Sequence, residues 1–128
     1  MANGVKSFEE LRVFQEARSL TEMIWRVTRS RPFYSDKVLI GQMRRASLSI
    51  VSNIAEGFER GSRAEFGRFL KIAKGWCGEV RAQMLVAADL NYISQQQCDA
   101  LCDCARHVSA VLAKLTEYPR PDHQDANR

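Results

Sequence analysis

The stretch Gln42-Met43-Arg44-Arg45-Ala46-Ser47-Leu48-Ser49-Ile50-Val51-Ser52-Asn53-Ile54-Ala55-Glu56-Gly57-Phe58 decides the fold of this chain. At about 100° of rotation per residue, its apolar residues form one main helical face and extend beyond it. The main face holds Leu39, Met43, Ala46, Ile50, Ile54 and Phe58, and Leu48, Val51 and Ala55 widen it. This pattern predicts a buried helix with more than one neighbour. We expect Gly57 to end that helix in a left-handed conformation, and the run Gly61-Ser62-Arg63-Ala64-Glu65 to cap the next one.

Capping residues and prolines delimit three more helices around this one. The predicted helices run from about Phe8, behind a capping box of Ser7 and Glu10, to Arg29 or Ser30; from Ser35 and Asp36 to about Glu56; from Ser62 to about Ala88; and from the Ser94 cap to Pro119 and Pro121. Long amphipathic helices with short connections and no strand pattern are typical of an all-α, antiparallel up-and-down four-helix bundle. We expect residues 1–128 to form this single domain, with about 8–117 ordered and 1–6 and 118–128 flexible.

Helices 1 and 2 carry more bulky apolar side chains than one bundle interior needs. The surplus residues are Leu11, Phe14, Trp25, Leu48 and Val51. In a soluble protein, apolar surface of this kind is usually covered by another subunit. The pattern therefore predicts a homo-oligomer whose interface contains these five residues.

Composition and charge exclude several protein classes. The chain of 128 residues has a net charge of +4 and 27% charged residues, which is ordinary for a soluble domain. No apolar run approaches the ~18 residues that a membrane helix needs. The segment Met1-Ala2-Asn3-Gly4-Val5-Lys6 also lacks the apolar core of a signal peptide. We therefore expect a cytoplasmic protein without a membrane partner.

The cysteines follow the periodicity of helix cores. They are Cys77, Cys98, Cys102 and Cys104. In a reducing compartment, such residues usually act as small buried hydrophobes. A metal or redox site that uses Cys98, Cys102 and His107 stays open as an alternative, but no second ligand pair completes a tetrahedral set. We expect no metal and no cofactor.

Helix 3 holds the clearest charge pattern. Between residues 60 and 81 there are two acidic residues, Glu65 and Glu79, and six basic ones, for a net charge of +4. The basic residues are Arg60, Arg63, Arg68, Lys71, Lys74 and Arg81. They share one side of the helical projection, with both glutamates outside that arc, and we call them the basic stripe. Either the stripe is a solvated helix face, or it tracks the phosphates of a nucleic acid.

Residues suited to catalysis are not grouped in the sequence. Glu56 has no partner acid, histidine or metal set nearby that would make an acid–base couple. The run Arg60-Gly61-Ser62-Arg63 lacks the spacing of a phosphate-binding loop. The pattern therefore predicts no catalytic residues and no enzymatic activity.

Several motifs resemble one bacterial protein family. They are Phe8-Glu9-Glu10-Leu11, Val13-Phe14-Gln15-Glu16-Ala17, Gln42-Met43-Arg44-Arg45-Ala46, Asn53-Ile54-Ala55-Glu56-Gly57-Phe58 and Leu70-Lys71-Ile72-Ala73-Lys74-Gly75. This family of four-helix bundles was first noticed as reading frames in intervening sequences of large-subunit ribosomal RNA genes. It is similar to the accessory protein of diversity-generating retroelements, whose basic surface engages nucleic acid and a reverse transcriptase. The resemblance implies a homopentamer without a known enzymatic activity, with nucleic acid and a nucleic-acid enzyme as partners.

Two functional hypotheses follow, with a third more distant. The first is a non-enzymatic oligomeric scaffold that binds RNA or DNA non-specifically through the basic stripe. The second is a protein-interaction oligomer with no nucleic-acid role, and the third is a nuclease or metal-dependent enzyme. Binding that weakens steeply with salt separates the first two hypotheses, and metal analysis tests the third.

Overall fold

The computed structural model describes residues 5–117 and contains four long helices. They are α1 (Arg12–Thr28), α2 (Lys37–Glu59), α3 (Arg63–Asp89) and α4 (Gln95–Glu117), with 3-10 turns at Phe8–Glu10 and Arg31–Phe33. Each helix packs against two others, in the cyclic order α1, α2, α3, α4. The predicted all-α four-helix fold is confirmed. The flexibility predicted for residues 1–6 and 118–128 stays a prediction, and residues 1–4 and 118–128, with the helix stop predicted at Pro119 and Pro121, lie outside the described residues.

Three predicted helix starts have the expected capping geometry. The side chains of Asp36, Ser62 and Ser94 each accept a hydrogen bond from the backbone N–H three residues further along, at 3.1, 3.1 and 3.0 Å. Each bond satisfies one of the N–H groups that the first turn of a helix leaves unpaired. These short polar side chains therefore set where α2, α3 and α4 begin.

The predicted start of helix 1 at Phe8 is wrong. A short 3-10 turn comes first, Leu11 is extended with φ −71° and ψ 126°, and α1 begins at Arg12. Ser7 does not cap the backbone, because its hydroxyl lies 3.4 Å from the Glu10 carboxylate instead. The break at Leu11 lets the chain fold back, so that the rings of Phe8 and Phe14 pack edge to face with their centroids 4.9 Å apart.

Gly57 does not end α2, contrary to the prediction. The helix continues to Glu59, and Gly61 carries the left-handed conformation with φ 85°. Gly57 is buried where α2 meets α3, and a Cβ atom there would lie 2.6 Å from the Cβ of Phe69. The glycine is therefore needed for a close approach of two helices rather than for a turn.

The bundle interior contains the apolar faces that the sequence predicts. Met43, Ala46, Ile50 and Ile54 of α2 are completely buried. At the end of the bundle where α2 begins and α3 ends, the Tyr92 hydroxyl donates to Asp36 at 2.9 Å. None of the helices in residues 5–117 combines the length and apolarity needed to cross a bilayer.

Candidate nucleic-acid interface

The basic stripe lies along the outer side of α3. Arg60, Arg63, Arg68, Lys71 and Lys74 are exposed, and Arg81 is half-buried. An amphipathic helix directs its apolar residues inward, so its basic residues must face out. The structure therefore brings all six cations to the surface, but it gives them different surroundings.

Carboxylates neutralise part of the stripe at the start of α3. Arg60 lies 2.9 Å from a Glu56 oxygen and 3.7 Å from Glu65, and Arg68 lies 3.0 Å from the other Glu65 oxygen. The hydrogen bond from Arg68 lowers the pKa of Glu65, which favours the charged form of this carboxylate. On the helical projection Glu65 lies outside the arc of cations, but its side chain is long enough to reach both arginines. The projection therefore does not predict these ion pairs.

The same two arginines also cover a core aromatic ring. Their guanidinium carbons lie 5.1 Å (Arg60) and 4.6 Å (Arg68) from the centroid of Phe69, which is 7% exposed. Cation–π contacts of this kind hold a guanidinium flat against the ring. Arg60 and Arg68 therefore have a structural function beside Gly57, and they are poorly placed to release a carboxylate for a phosphate.

Lys71, Lys74 and Arg81 form the uncompensated part of the stripe. They make no salt bridge with any carboxylate of residues 5–117. Gly75 and Gly78 lie between them, and a Cβ atom at either glycine would meet nothing within 4 Å. An open, positively charged surface therefore lies on the middle of α3, and we call the surface formed by Lys71, Lys74 and Arg81 the lysine surface.

The predicted oligomer interface divides into two groups. Leu11 and Phe14 are only 6% and 7% exposed within the single chain, so the expectation that they are surplus is wrong. Both side chains belong to the hydrophobic core of the bundle. Trp25 and Val51 are half-buried, and Leu48 is 47% exposed. Trp25 and Leu48 line one cavity of about 360 Å³ on the outer face of α1 and α2. Their assignment to an interface stays a prediction.

Other apolar side chains are exposed at the end of the bundle where α2 begins and α3 ends. They are Val38, Leu85, Val86 and Leu90. A bond of 3.4 Å from the Gln83 amide to the Gln42 carbonyl shows that these parts of α2 and α3 are neighbours. Periodicity did not single these residues out, because each lies outside the core face of its own helix.

Sequence reasoning also missed a second basic region. Residues 26–45 contain one acidic residue, Asp36, and six basic ones, for a net charge of +5. The basic residues are Arg26, Arg29, Arg31, Lys37, Arg44 and Arg45. Outside residues 60–81 the basic and acidic residues of the chain cancel, and that total conceals the local excess. A charge count in a sliding window is the signal that would have found it.

The cysteine thiols are placed as core side chains. Cys77, Cys98 and Cys102 are buried and Cys104 is half-buried, and all four are free. Burial raises the pKa of Cys77 to about 12 and that of Cys98 to about 11, which keeps both thiols protonated. The sulfur atoms of Cys98 and Cys102 are 4.0 Å apart. Within residues 5–117, no group of three potential ligands is placed to hold a metal ion.

One carboxylate–imidazole pair joins α1 to α4. An oxygen of Glu16 lies 2.8 Å from His107 Nε2 and 3.4 Å from Arg12 Nε, while its other oxygen is buried without a partner. The two members of the pair are 91 residues apart, so no motif reveals it. The pair fastens α1 to α4.

The chain matches the model of one known protein family. The model of a family described as 23S rRNA-intervening sequence protein matches residues 9–114. The chain belongs to this family. No curated protein matches the chain. The predicted resemblance to intervening-sequence proteins is confirmed, and the further similarity to the retroelement accessory protein stays a prediction.

The family match covers most of the four helices. It includes the α2–α3 contact at Gly57, the lysine surface and the second basic region. The name of the 23S rRNA-intervening sequence protein family states where its genes are found and gives no activity. Any function must therefore be argued from these surfaces.

Proposed function

We propose that this intervening-sequence protein is a non-enzymatic, homo-oligomeric scaffold that binds RNA or DNA non-specifically through the lysine surface. One observation carries the proposal. Lys71 and Lys74 are exposed cations without a carboxylate partner among the described residues, in a segment with a net charge of +4. Cations in this state attract phosphates at no cost of breaking an ion pair.

Binding of this kind is driven by the release of counterions. Each neutralised phosphate contributes about 0.9 to the slope of log affinity against log salt. Lys71, Lys74 and Arg81 supply three cations per chain. If five chains assemble, as the family resemblance implies, the assembly presents fifteen such cations to a long nucleic acid. Phosphate contacts carry no sequence information, so different sequences should bind with similar affinity.

A protein-interaction oligomer without a nucleic-acid role is the alternative. The exposed Leu48 beside the half-buried Trp25 favours it, because a second subunit would cover these two large apolar side chains. Both functions require an assembly, so salt-sensitive nucleic-acid binding is the property that separates them. The resemblance to the retroelement accessory protein supports the first and adds a nucleic-acid enzyme as a partner.

The test compares two double variants with the same change in charge. Lys71→Gln with Lys74→Gln removes two cations from the lysine surface, and Arg12→Gln with Arg18→Gln removes two from α1. Affinity for a labelled duplex and a labelled single strand is measured by fluorescence anisotropy from ~50 to ~200 mM salt, where electrostatic binding changes most. We expect the lysine variant to lower the salt slope by about two for each chain in contact.

The α1 variant should leave the salt slope nearly unchanged. If the two variants weaken nucleic-acid binding equally, only the total charge matters, and the lysine surface is not a specific binding site. If the unaltered protein binds neither nucleic acid at ~50 mM salt, where such binding is strong, the nucleic-acid proposal is wrong and the protein-interaction oligomer remains.

A further inference from the structure

A groove lies between the end of α1 and the beginning of α2, apart from the lysine surface. Its volume is about 620 Å³, within the ~300–1,000 Å³ that ligand sites usually occupy. Its walls include Arg29, Tyr34, Lys37, Ile40, Gly41 and Arg44. Three of these six residues are cationic and one is aromatic, so the groove has the composition of a site for an aromatic anion.

The charge of this groove is not compensated locally. It lies in the second basic region, whose net charge is +5. The only acid of that region, Asp36, uses one oxygen to cap α2 and the other to accept from Tyr92. Within residues 5–117, no salt bridge involves Arg29, Lys37 or Arg44. The three cations therefore face the groove without a counter-ion from the protein.

Arg44 is held in place as a donor. Its guanidinium lies 4.9 Å from the centroid of the Trp25 ring, and its Nε donates to the Thr28 hydroxyl at 2.9 Å. Thr28 is 2% exposed and donates in turn to the Ile24 carbonyl at 2.7 Å. The two terminal nitrogens of Arg44 have no hydrogen-bond partner among the described residues. A fork fixed in this way matches the geometry of a phosphate and loses little freedom on binding.

Tyr34 offers a flat apolar surface beside these cations. Its side chain is 70% exposed, whereas its neighbour Phe33 is completely buried. The ring centroids of Phe33 and Tyr92 lie 5.1 Å apart. The buried neighbour anchors the short turn, which holds Tyr34 outward, and the Lys37 ammonium lies 5.9 Å from the Tyr34 ring. Gly41 keeps the adjacent surface of α2 open, because a Cβ atom there would meet nothing within 4 Å.

We propose that this groove binds an unpaired nucleotide of a single-stranded nucleic acid, with the base stacked on Tyr34 and the phosphate on Arg44, Arg29 and Lys37. The proposal rests on the proposed function and deepens it by naming single strands as the preferred ligand. In a duplex the faces of the bases are already stacked on each other, so only an unpaired base can stack on an exposed ring. The lysine surface, by contrast, accepts any phosphate backbone.

The test replaces Tyr34, whose exposure makes a folding defect unexpected. The full-length protein is titrated with a labelled oligothymidine and with a labelled duplex, at a salt concentration where both bind. We expect Tyr34→Ala to weaken single-strand binding about 5- to 150-fold, which corresponds to the ~1–3 kcal/mol of one stacked base. Duplex binding should change less than twofold, and Tyr34→Phe, which keeps the ring, should bind like the unaltered protein.

A second measurement locates the ligand. In a Trp76→Phe background, Trp25 is the sole tryptophan, and it touches Arg44 at the groove. We expect saturating oligothymidine to change the Trp25 emission, and the change to be lost in the additional variant Tyr34→Ala. A free mononucleotide that produces the full change, with no preference for the oligonucleotide, would overturn the single-strand assignment.

The two proposals fail in different ways. If both nucleic acids bind with salt-sensitive affinity, and Tyr34→Ala weakens the binding of both equally or not at all, the groove proposal is wrong. The proposal for the lysine surface then still holds. If neither nucleic acid binds to the unaltered protein, both proposals fall together. If only the variants Lys71→Gln and Lys74→Gln reduce binding of the single strand, the groove is likewise excluded as its site.

Discussion

Replacing Gly57 by alanine tests the close contact between α2 and α3. The added Cβ would lie 2.6 Å from the Cβ of Phe69, 3.3 Å from its Cγ and 3.4 Å from the Cδ1 of Phe66. The nearest of these atoms is bonded to the backbone of α3, so a rotation of the Phe69 side chain cannot move it away. The two helices must separate where a short turn joins them, and Arg60 and Arg68 lie over the same ring.

Two opposing effects determine the size of the change. Alanine is favoured over glycine inside a helix by about 0.5–1 kcal/mol. Overpacking a close-packed core costs ~1–3 kcal/mol, and a contact against an atom next to the backbone belongs in the upper part of that range. We therefore expect Gly57→Ala to lower the free energy of unfolding by about 1–2 kcal/mol, which lowers the melting temperature by about 4–8 °C.

Thermal unfolding followed by circular dichroism at 222 nm measures this change. All variants are compared at one protomer concentration, because the stability of an oligomer depends on concentration. Gly75→Ala is the matched control, since a Cβ there meets nothing within 4 Å and only the helix preference remains. It should raise the melting temperature by about 2–4 °C. A Gly57 variant as stable as the Gly75 variant would refute the reasoning from close contact.

Two further predictions follow from burial. If Leu48 lies in the interface, Leu48→Glu should dissociate the assembly in light scattering, because an unpaired charge would then be buried. The same substitution at Val38, which is 78% exposed, is the control. Dissociation by the control alone would move the interface to the beginning of α2. At pH 8, Cys77 with its pKa raised to about 12 should react with iodoacetamide on the order of a thousandfold more slowly than a free thiol, until urea exposes it. Rapid labelling of Cys77 in the folded protein, measured by mass spectrometry, would show that the thiol is not buried as described.

Local pattern was enough to find most of the helices. The caps at Asp36, Ser62 and Ser94 and the core face of α2 depend on residues three or four apart, so they are visible in the sequence. The break at Leu11 was not visible. Ser7 and Glu10 have the spacing of a capping box, but packing of Phe8 on Phe14 bends the chain there instead.

The candidate interface was only partly predictable for a related reason. A helical projection places Cα positions correctly but ignores the reach of side chains, so it missed that Glu65 pairs with both Arg60 and Arg68. The positive charge at Lys71 and Lys74 was predictable from the sequence alone. Their freedom from carboxylates depends on which residues of other elements come near, and only the folded chain decides that.

The sequence by itself determined that this protein is a bundle of amphipathic helices with a basic α3, because hydrophobic periodicity and net charge are properties of neighbouring residues. Tertiary structure decided which distant groups meet. Packing of α1 on α4 brings Glu16 to His107, and the end of α3 brings Tyr92 to Asp36. It also shapes the groove at Tyr34 and gives Gly57 its function, since both depend on how closely whole helices approach one another.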